Sequence, residues 1–235
     1  MKLRVSISNR LFSLALCVVC LSAAAAAQQP QQTPEPKAEP PATKKNARPA
    51  GETEAAEPFD KLTPEQMSGR CVTFETEAGD IVVEVLAEAA PEAARNFLNL
   101  VSIGAFDTTT FSRVVKDFVV QGGNVATRET LSNELIRRAS RKVPDEPNPV
   151  KHLRGVVSLA RPAEANAATT HFFILLNDAP HLDGTFAAFG RVRAGMEVVD
   201  KIAAGELDGE KPKNPVRIRR ARVALCQPPP DQPQK

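Results

Sequence analysis

The sequence contains no Trp and no Tyr, and its 11 Phe are its only aromatic residues. Platforms that stack nucleic-acid bases and cages that enclose alkylammonium groups are built from several aromatic side chains, so both are disfavoured. An excess of charge is also lacking, because 30 Lys and Arg stand against 28 Asp and Glu, a net charge of +2. Since nucleic-acid binding depends on neutralising phosphates, this balance argues against a nucleic-acid partner.

Several motifs of common enzymes are absent as well. The chain has no phosphate-binding loop, no dinucleotide fingerprint and no Gly-x-Ser-x-Gly nucleophile elbow. Its three histidines, His152, His171 and His181, have neither His-x-x-x-His spacing nor a carboxylate-rich frame. We therefore expect no metal site and no cofactor, and hydrolase chemistry is disfavoured.

The first 27 residues have the pattern of a secretory signal peptide. Lys2, Arg4 and Arg10 surround the start of an apolar run, 11–27, that ends in alanines. The run is shorter than the roughly 20 residues of a membrane-spanning helix. This pattern predicts an exported protein, periplasmic or otherwise extracytoplasmic, with no membrane span after cleavage. An uncleaved N-terminal segment that anchors the protein to a membrane is the alternative.

Composition divides the rest of the chain into three parts. Residues 28–66 hold eight Pro and one Phe, too little apolar surface to offset the entropy of ordering, so we predict a disordered Pro-rich tether. Residues 67–226 form one domain that is large enough to bury a core. Residues 227–235 are rich in Pro again and predict a disordered tail.

Two cysteines lie outside the predicted signal, Cys71 and Cys226, near the two ends of the domain. An even number in an exported protein permits a disulfide, which would close a loop of about 155 residues and stabilise the fold by about 4–5 kcal/mol. Two buried free thiols are the alternative, since free cysteine is among the most buried residue types.

Hydrophobic alternation within the domain predicts about eight short strands and two helices. One helix begins at Pro91 and ends at Gly104, and the other spans Met196–Ala203. This pattern excludes an alternating α/β architecture and favours a closed or nearly closed antiparallel barrel with helices over its ends. The predicted strands are 71–76, 80–86, 111–115, 118–120, 155–160, 171–176, 186–192 and 216–225.

One stretch carries a more specific signal, Phe111-Ser-Arg-Val-Val-Lys-Asp-Phe-Val-Val-Gln-Gly-Gly-Asn124. Strand periodicity alone predicts only a solvated or ion-paired arginine in it. However, the stretch resembles the signature of cyclophilins, the peptidyl-prolyl cis–trans isomerases, and of their bacterial branch in particular. Further hallmarks of that family follow in the family's order, at 155–161, 170–174, 182–184 and 189–192.

The resemblance implies an all-β-dominated fold, an eight-stranded antiparallel barrel capped by two α-helices. It also implies peptidyl-prolyl cis–trans isomerase activity (EC 5.2.1.8) on proline-containing polypeptides, in support of protein folding, and we expect a monomer. The catalytic residues it implies are Arg113, Phe118 and Gln121. The substrate-binding residues it implies are Val119, Ala160, Arg161, His171, Phe173, His181, Leu182 and Phe186, whereas Phe172 should face the core.

Four of these positions depart from the usual family pattern. His181 replaces a Trp that contacts the drug cyclosporin, Phe186 replaces a His, His171 replaces a Gln, and Arg161 replaces an Asn. Two other functions compete with the isomerase interpretation. One is a catalytically weak proline-binding or chaperone-like module that uses the same groove. The other is an unrelated barrel that carries a small ligand in its lumen.

Overall fold

The computed structural model describes residues 56–227. The predicted signal at 1–27, the tether up to residue 55 and the tail from residue 228 lie outside the described residues. The described chain contains ten strands: β1 Arg70–Thr76, β2 Gly79–Val85, β3 Arg113–Val115, β4 Val119–Gly122, β5 Val156–Leu159, β6 Phe172–Leu175, β7 Ala188–Ala194, β8 Leu207–Asp208, β9 Lys211–Pro212 and β10 Ile218–Leu225. Its α-helices are α1 Pro64–Met67, α2 Pro91–Ser102, α3 Asn133–Ala139 and α4 Met196–Ala203, and 3-10 turns span Val125–Thr127 and Pro180–Leu182.

Eight of the strands form one antiparallel sheet in the order β10-β1-β2-β7-β5-β6-β4-β3. Its two edges meet where the segments that precede β3 and β10 pair. There Phe111 N–H donates to the Val216 carbonyl (3.0 Å) and Ile218 N–H to the Thr109 carbonyl (2.8 Å). The predicted eight-stranded antiparallel barrel is confirmed.

The interior of the barrel is filled by a large apolar cluster, called here the inner cluster. It follows from alternation along the strands, since Val72 and Phe74 of β1 are fully buried while Thr73 between them is only half-buried. Aromatic rings in edge-to-face, tilted or stacked contact make up its centre. These rings belong to Phe74, Phe97, Phe106, Phe111, Phe172 and Phe189.

Helices α2 and α4 cover the barrel, α2 against β7 and β10 and α4 against β2 and β4. Helix α2 begins with Pro91 and lacks a capping side chain at Ala90. Instead the Glu146 carboxylate accepts hydrogen bonds from the backbone N–H groups of Glu92 (3.0 Å) and Ala93 (2.8 Å), where a negative charge also complements the helix dipole. No helix within residues 56–227 is long and apolar enough to cross a membrane.

The domain begins earlier than its predicted start at residue 67, and the predicted tether is correspondingly too long. Phe59 is only 7% exposed and joins the inner cluster. Its N–H donates to Asn99 Oδ1 (2.9 Å), and Arg95 Nη1 donates to the Leu62 carbonyl (2.8 Å). Composition alone missed this contact because one aromatic residue in a polar, Pro-rich stretch hardly changes its average.

Two short helices, α1 and α3, were not predicted, so the expected number of two helices is too low for the described chain. Each begins with a hydroxyl cap, from Thr63 and Ser132 respectively. The only buried residue of α3 is Arg138, so it has no apolar stripe for periodicity to reveal. Its guanidinium forms a buried ion pair with Glu57 and donates to Asn96 Oδ1 (2.9 Å).

Cys71 and Cys226 form a disulfide with an S–S distance of 2.10 Å. Cys71 lies on β1 opposite Ala224 of β10, and Cys226 follows β10 directly. The bridge therefore joins the beginning of the first barrel strand to the end of the last one. Of the two alternatives that the sequence left open, the structure has the disulfide.

Candidate functional site

A second apolar cluster, called here the outer cluster, lies on the outside of the barrel over β4, β5 and β6. It arises from the same strand alternation, because Phe173 and Leu175 of β6 face outward where Phe172 and Ile174 face inward. Its buried members are Val119, Val156, Phe173, Leu175, Ala179, Leu182 and Ala188, with Val115, Phe118, Val150, Ala160 and Phe186 half-buried at its rim.

The apolar residues of the predicted site all belong to this outer cluster, and Phe172 belongs to the inner one, as expected. The Phe173 ring meets the Phe186 ring edge-to-face, with centroids 5.9 Å apart. The predicted apolar members of the site are Phe118, Val119, Ala160, Phe173, Leu182 and Phe186.

A polar row runs along one side of the outer cluster. Arg113 of β3 pairs in register with Gln121 of β4, which pairs with Phe173 of β6. Arg113 Nη1 donates to Gln121 Oε1 (3.2 Å), and Gln121 Nε2 lies 3.2 Å from His171 Nδ1. Three predicted site residues thus form one hydrogen-bonded chain, Arg113–Gln121–His171.

A glycine places His171 next to β4. Gly123 adopts φ +84°, and a Cβ on it would lie 2.2 Å from the Thr170 carbonyl oxygen and 2.9 Å from His171 Cα. Only glycine permits this approach of two backbones. The Thr170 hydroxyl also donates to the Gly123 carbonyl (2.8 Å), so the chain before β6 is held against the end of β4.

The Arg113 guanidinium is 41% exposed, so it reaches the solvent side of the groove. Its Nε donates to Glu210 Oε2 at 2.7 Å. Glu210 lies in the two-residue loop between β8 and β9, and its carbonyl accepts a hydrogen bond from Val114 N–H (2.8 Å). The prediction missed Glu210, although Asp208-Gly209 is a hairpin-turn signal that could have indicated this loop.

The remaining two predicted residues lie at the rim. His181 is exposed, and its ring centroid is 5.5 Å from that of Phe118. Arg161 places its guanidinium 5.1 Å from the Phe186 ring centroid and 3.3 Å from Asp145 Oδ1. All eleven predicted site residues therefore surround one groove, and Arg161 and Phe186, both departures from the family pattern, contact each other.

A hydrogen-bonded triad that the prediction missed lies beneath the outer cluster. His152 Nδ1 is 3.2 Å from Asp183 Oδ1, and His152 Nε2 is 3.1 Å from Ser158 Oγ. The order Asp–His–Ser is that of a hydrolase, but the His152 side chain and Ser158 are both 0% exposed, so no substrate reaches the hydroxyl. The triad instead ties the turn that carries Leu182 to β5.

The electrostatics of the two buried imidazoles are similar. Burial lowers the pKa of both His152 and His171 below the usual value, which keeps both rings neutral near pH 7. The pKa of Asp183 is lowered chiefly because its carboxylate accepts a hydrogen bond from the His152 backbone N–H, and also by Lys151. Within residues 56–227, no group of three or more His, Cys, Asp and Glu side chains is placed to hold a metal ion.

Fold and site together define a barrel protein whose binding groove lies on the outside of the sheet. The lumen is filled by the inner cluster, and this arrangement contradicts the alternative of a barrel that carries a ligand inside. The groove combines an apolar pocket with a cationic hydrogen-bond donor.

Known proteins share this sequence and fold. The family described as "Cyclophilin type peptidyl-prolyl cis-trans isomerase/CLD" matches residues 71–223. Peptidyl-prolyl cis-trans isomerase cypE of Dictyostelium discoideum is 36% identical over 157 residues, which cover 66% of this chain and 98% of that protein. Peptidyl-prolyl cis-trans isomerase A of Dickeya dadantii is 32% identical over 164 residues, covering 65% and 83% respectively.

A crystal structure of a cyclophilin-type isomerase from Cryptosporidium parvum superposes with a TM-score of 0.58 at 25% identity, covering 68% of this chain and 99% of that one. The chain belongs to the cyclophilin-type peptidyl-prolyl cis–trans isomerase family. Its activity is that of the family, the isomerisation of peptide bonds that precede proline (EC 5.2.1.8).

Proposed function

We propose that the protein isomerises X-Pro bonds in exported polypeptides outside the cytoplasm, that it thereby assists their folding, and that Arg113 is its catalytic residue. The observation that carries the role of Arg113 is its place beside the outer cluster, held by Gln121 at 3.2 Å. Export is supported by the signal pattern of residues 1–27. The Cys71–Cys226 disulfide also suits an oxidising compartment.

The reaction needs the peptide C–N bond to lose its double-bond character. That bond is stiff because the nitrogen lone pair is delocalised into the carbonyl, and the barrier to rotation is about 20 kcal/mol. A guanidinium N–H that donates to the prolyl nitrogen localises the lone pair and so lowers the barrier. Arg113 suits this role because arginine stays protonated and carries five N–H groups, of which Glu210 and Gln121 occupy one each.

The apolar pocket supplies the other half of the mechanism. Phe118, Val119, Phe173 and Leu182 are placed to hold the proline ring, while the carbonyl of the preceding residue turns against the rim. If the ring is held and the twisted bond receives a hydrogen bond, the transition state is bound more tightly than either ground state, which is what catalysis requires.

The test is NMR exchange between the cis and trans forms of a short Ala-Pro peptide with blocked ends. The protein is the chain without the predicted signal, residues 28–235. Arg113→Ala should reduce the exchange rate by about 100-fold or more, the usual effect of removing one transition-state hydrogen-bond donor. Arg222→Ala is the matched control, because Arg222 is an exposed arginine paired with Glu75 on the far side of the barrel, and it should leave the rate unchanged.

Two outcomes would overturn the assignment. Equal rates for the parent and Arg113→Ala would exclude the arginine mechanism. A peptide that binds in the groove but exchanges no faster than it does alone would identify the alternative, a proline-binding or chaperone-like module.

Export is tested separately on the protein isolated from its cells. We expect it in the extracytoplasmic fraction with a mass that lacks about the first 27 residues. A full-length mass in the membrane fraction would instead support the uncleaved anchor, and a full-length mass in the cytoplasm would contradict export.

A further inference from the structure

We infer that His171 is a positioning residue for the reaction, and that its unprotonated Nδ1 holds the Gln121 amide in the one orientation that supports Arg113. This inference rests on the proposed roles of Arg113 and Gln121. It makes the isomerase activity depend on pH, although isomerisation itself moves no proton.

The hydrogen-bonded chain has a fixed direction. Arginine is a donor only, so the Gln121 atom that faces Arg113 Nη1 at 3.2 Å has to be the carbonyl oxygen. The amide nitrogen then faces His171 Nδ1 at 3.2 Å, and since that NH₂ group can only donate, Nδ1 has to accept. The geometry thus requires the neutral imidazole with its proton on Nε2.

Protonation of His171 leaves no satisfactory arrangement. With a proton on Nδ1, two donors face each other across 3.2 Å. If the Gln121 amide turned over to present its oxygen to His171, its NH₂ group would face the donors of Arg113. In either orientation one of the two hydrogen bonds is lost, and Arg113 loses the support that directs it over the groove.

The ring cannot move away easily, because the backbone of His171 is held on both sides. Its carbonyl accepts a hydrogen bond from Ala160 N–H (2.9 Å), and the preceding Thr170 is bound to Gly123. The charged groups on the surrounding elements are Arg113, with Glu210 beyond it, and Arg161 after β5. The two guanidinium groups disfavour a further positive charge, in the same direction as burial, which lowers the pKa of His171.

The expected result is a single acid limb in the pH profile of kcat/KM. As the pH falls below neutrality and His171 becomes protonated, kcat/KM should decrease by about tenfold, the value of one hydrogen bond of about 1.4 kcal/mol in the transition state. The loss should fall on kcat more than on KM, because the apolar pocket that binds the proline ring does not titrate. The peptide used has blocked ends and no ionisable side chain.

His171→Gln is the decisive variant. A glutamine amide offers an acceptor to Gln121 at every pH, so this variant should keep the activity of the parent at pH 7.5 and lose the acid limb. His171→Leu offers no acceptor and should be slow at every pH. His181→Gln, at the exposed rim, should keep the acid limb whatever its absolute rate.

Proton NMR identifies which imidazole is responsible, since the chain has only three histidines. The midpoint of the activity profile should coincide with the titration of the His171 ring rather than with that of His152 or His181. An acid limb that persists in His171→Gln, or a midpoint that follows His152, would overturn the inference. If Arg113→Ala is inactive in the same assay, that failure concerns His171 alone and leaves the proposed function standing.

Discussion

The inner and outer clusters are built by the same strands, yet they face different environments. Along β6, Phe172 and Ile174 are 0% exposed inside the barrel, while Phe173 and Leu175 face the groove. The inner cluster is enclosed by the sheet and by helices α2 and α4. The outer cluster is open along a rim of half-buried side chains. Successive residues of one strand are thus divided between stabilising the fold and forming a binding surface.

The polar groups of the two clusters differ as well. Next to the outer cluster lie the Arg113–Gln121–His171 chain and, beneath it, the triad around His152. The described titratable side chains whose pKa is lowered by burial, those of His152 and His171, are both on this side of the barrel. The comparison teaches that the binding face carries the groups that respond to pH, whereas the interior of the barrel responds to changes of volume.

The largest effect on stability is expected from the disulfide, which belongs to neither cluster. Strands β1 and β10, which Cys71 and Cys226 join, contribute no residue to the outer cluster. Replacing both cysteines by serine should lower the free energy of unfolding by about 4–5 kcal/mol, since the bridge closes a loop of 155 residues. Urea unfolding followed by circular dichroism measures this loss.

The same double variant also tests whether the two faces are independent. Its isomerase activity at 25 °C should equal that of the parent as long as it is folded. Chemical reduction of the parent is the control and should give the same loss of stability. A folded but inactive variant would show that the groove depends on the far side of the barrel.

The next largest effect comes from two neighbouring phenylalanines on β6. Phe172→Ala leaves a cavity inside the barrel and should cost about 3–5 kcal/mol of stability. Phe173→Ala opens the groove instead, so it should cost only about 1.5–3 kcal/mol, but it should reduce kcat/KM by about 10- to 100-fold. Equal effects of the two variants on both unfolding and catalysis would contradict the division of β6 between two clusters.

This division could be predicted from the sequence. Alternation alone identifies strands, and the family resemblance sets the phase that sends Phe172 inward and Phe173 outward. The helix Met196–Ala203 was also predicted with the bounds that the structure has. Where a pattern repeats over several residues, as in these elements, local sequence carries enough information to place side chains.

Contacts made by single residues could not be predicted. Glu210 reaches Arg113 across 97 positions of sequence, and Asp183 reaches His152 across 31. Neither contact leaves a periodic trace, and the strands β8 and β9, which carry Glu210, have only two residues each. Phe59 was missed for the same reason, because its environment is supplied by α2 rather than by its neighbours in sequence.

The smallest expected effect is the pH dependence of stability, and it tests whether titration is confined to the outer side. In the unfolded chain His152 and His171 regain the ordinary histidine pKa of about 6.5, whereas burial lowers it in the folded protein. Below that pH the unfolded chain binds more protons than the folded one, so the free energy of unfolding falls as the pH decreases. Between pH 7 and pH 5.5 each imidazole contributes at most about 1.2 kcal/mol.

Urea unfolding at a series of pH values, in the parent and in His171→Gln, separates the two contributions. His171→Gln should remove one of them and leave that of His152, so its stability should fall less steeply between pH 7 and pH 5.5. The window excludes the Asp183 carboxyl, whose lowered pKa affects stability only below about pH 4. An unchanged slope in His171→Gln would mean that His171 takes up its proton equally in the folded and unfolded chains, and the buried titrating group of this barrel would then be His152 alone.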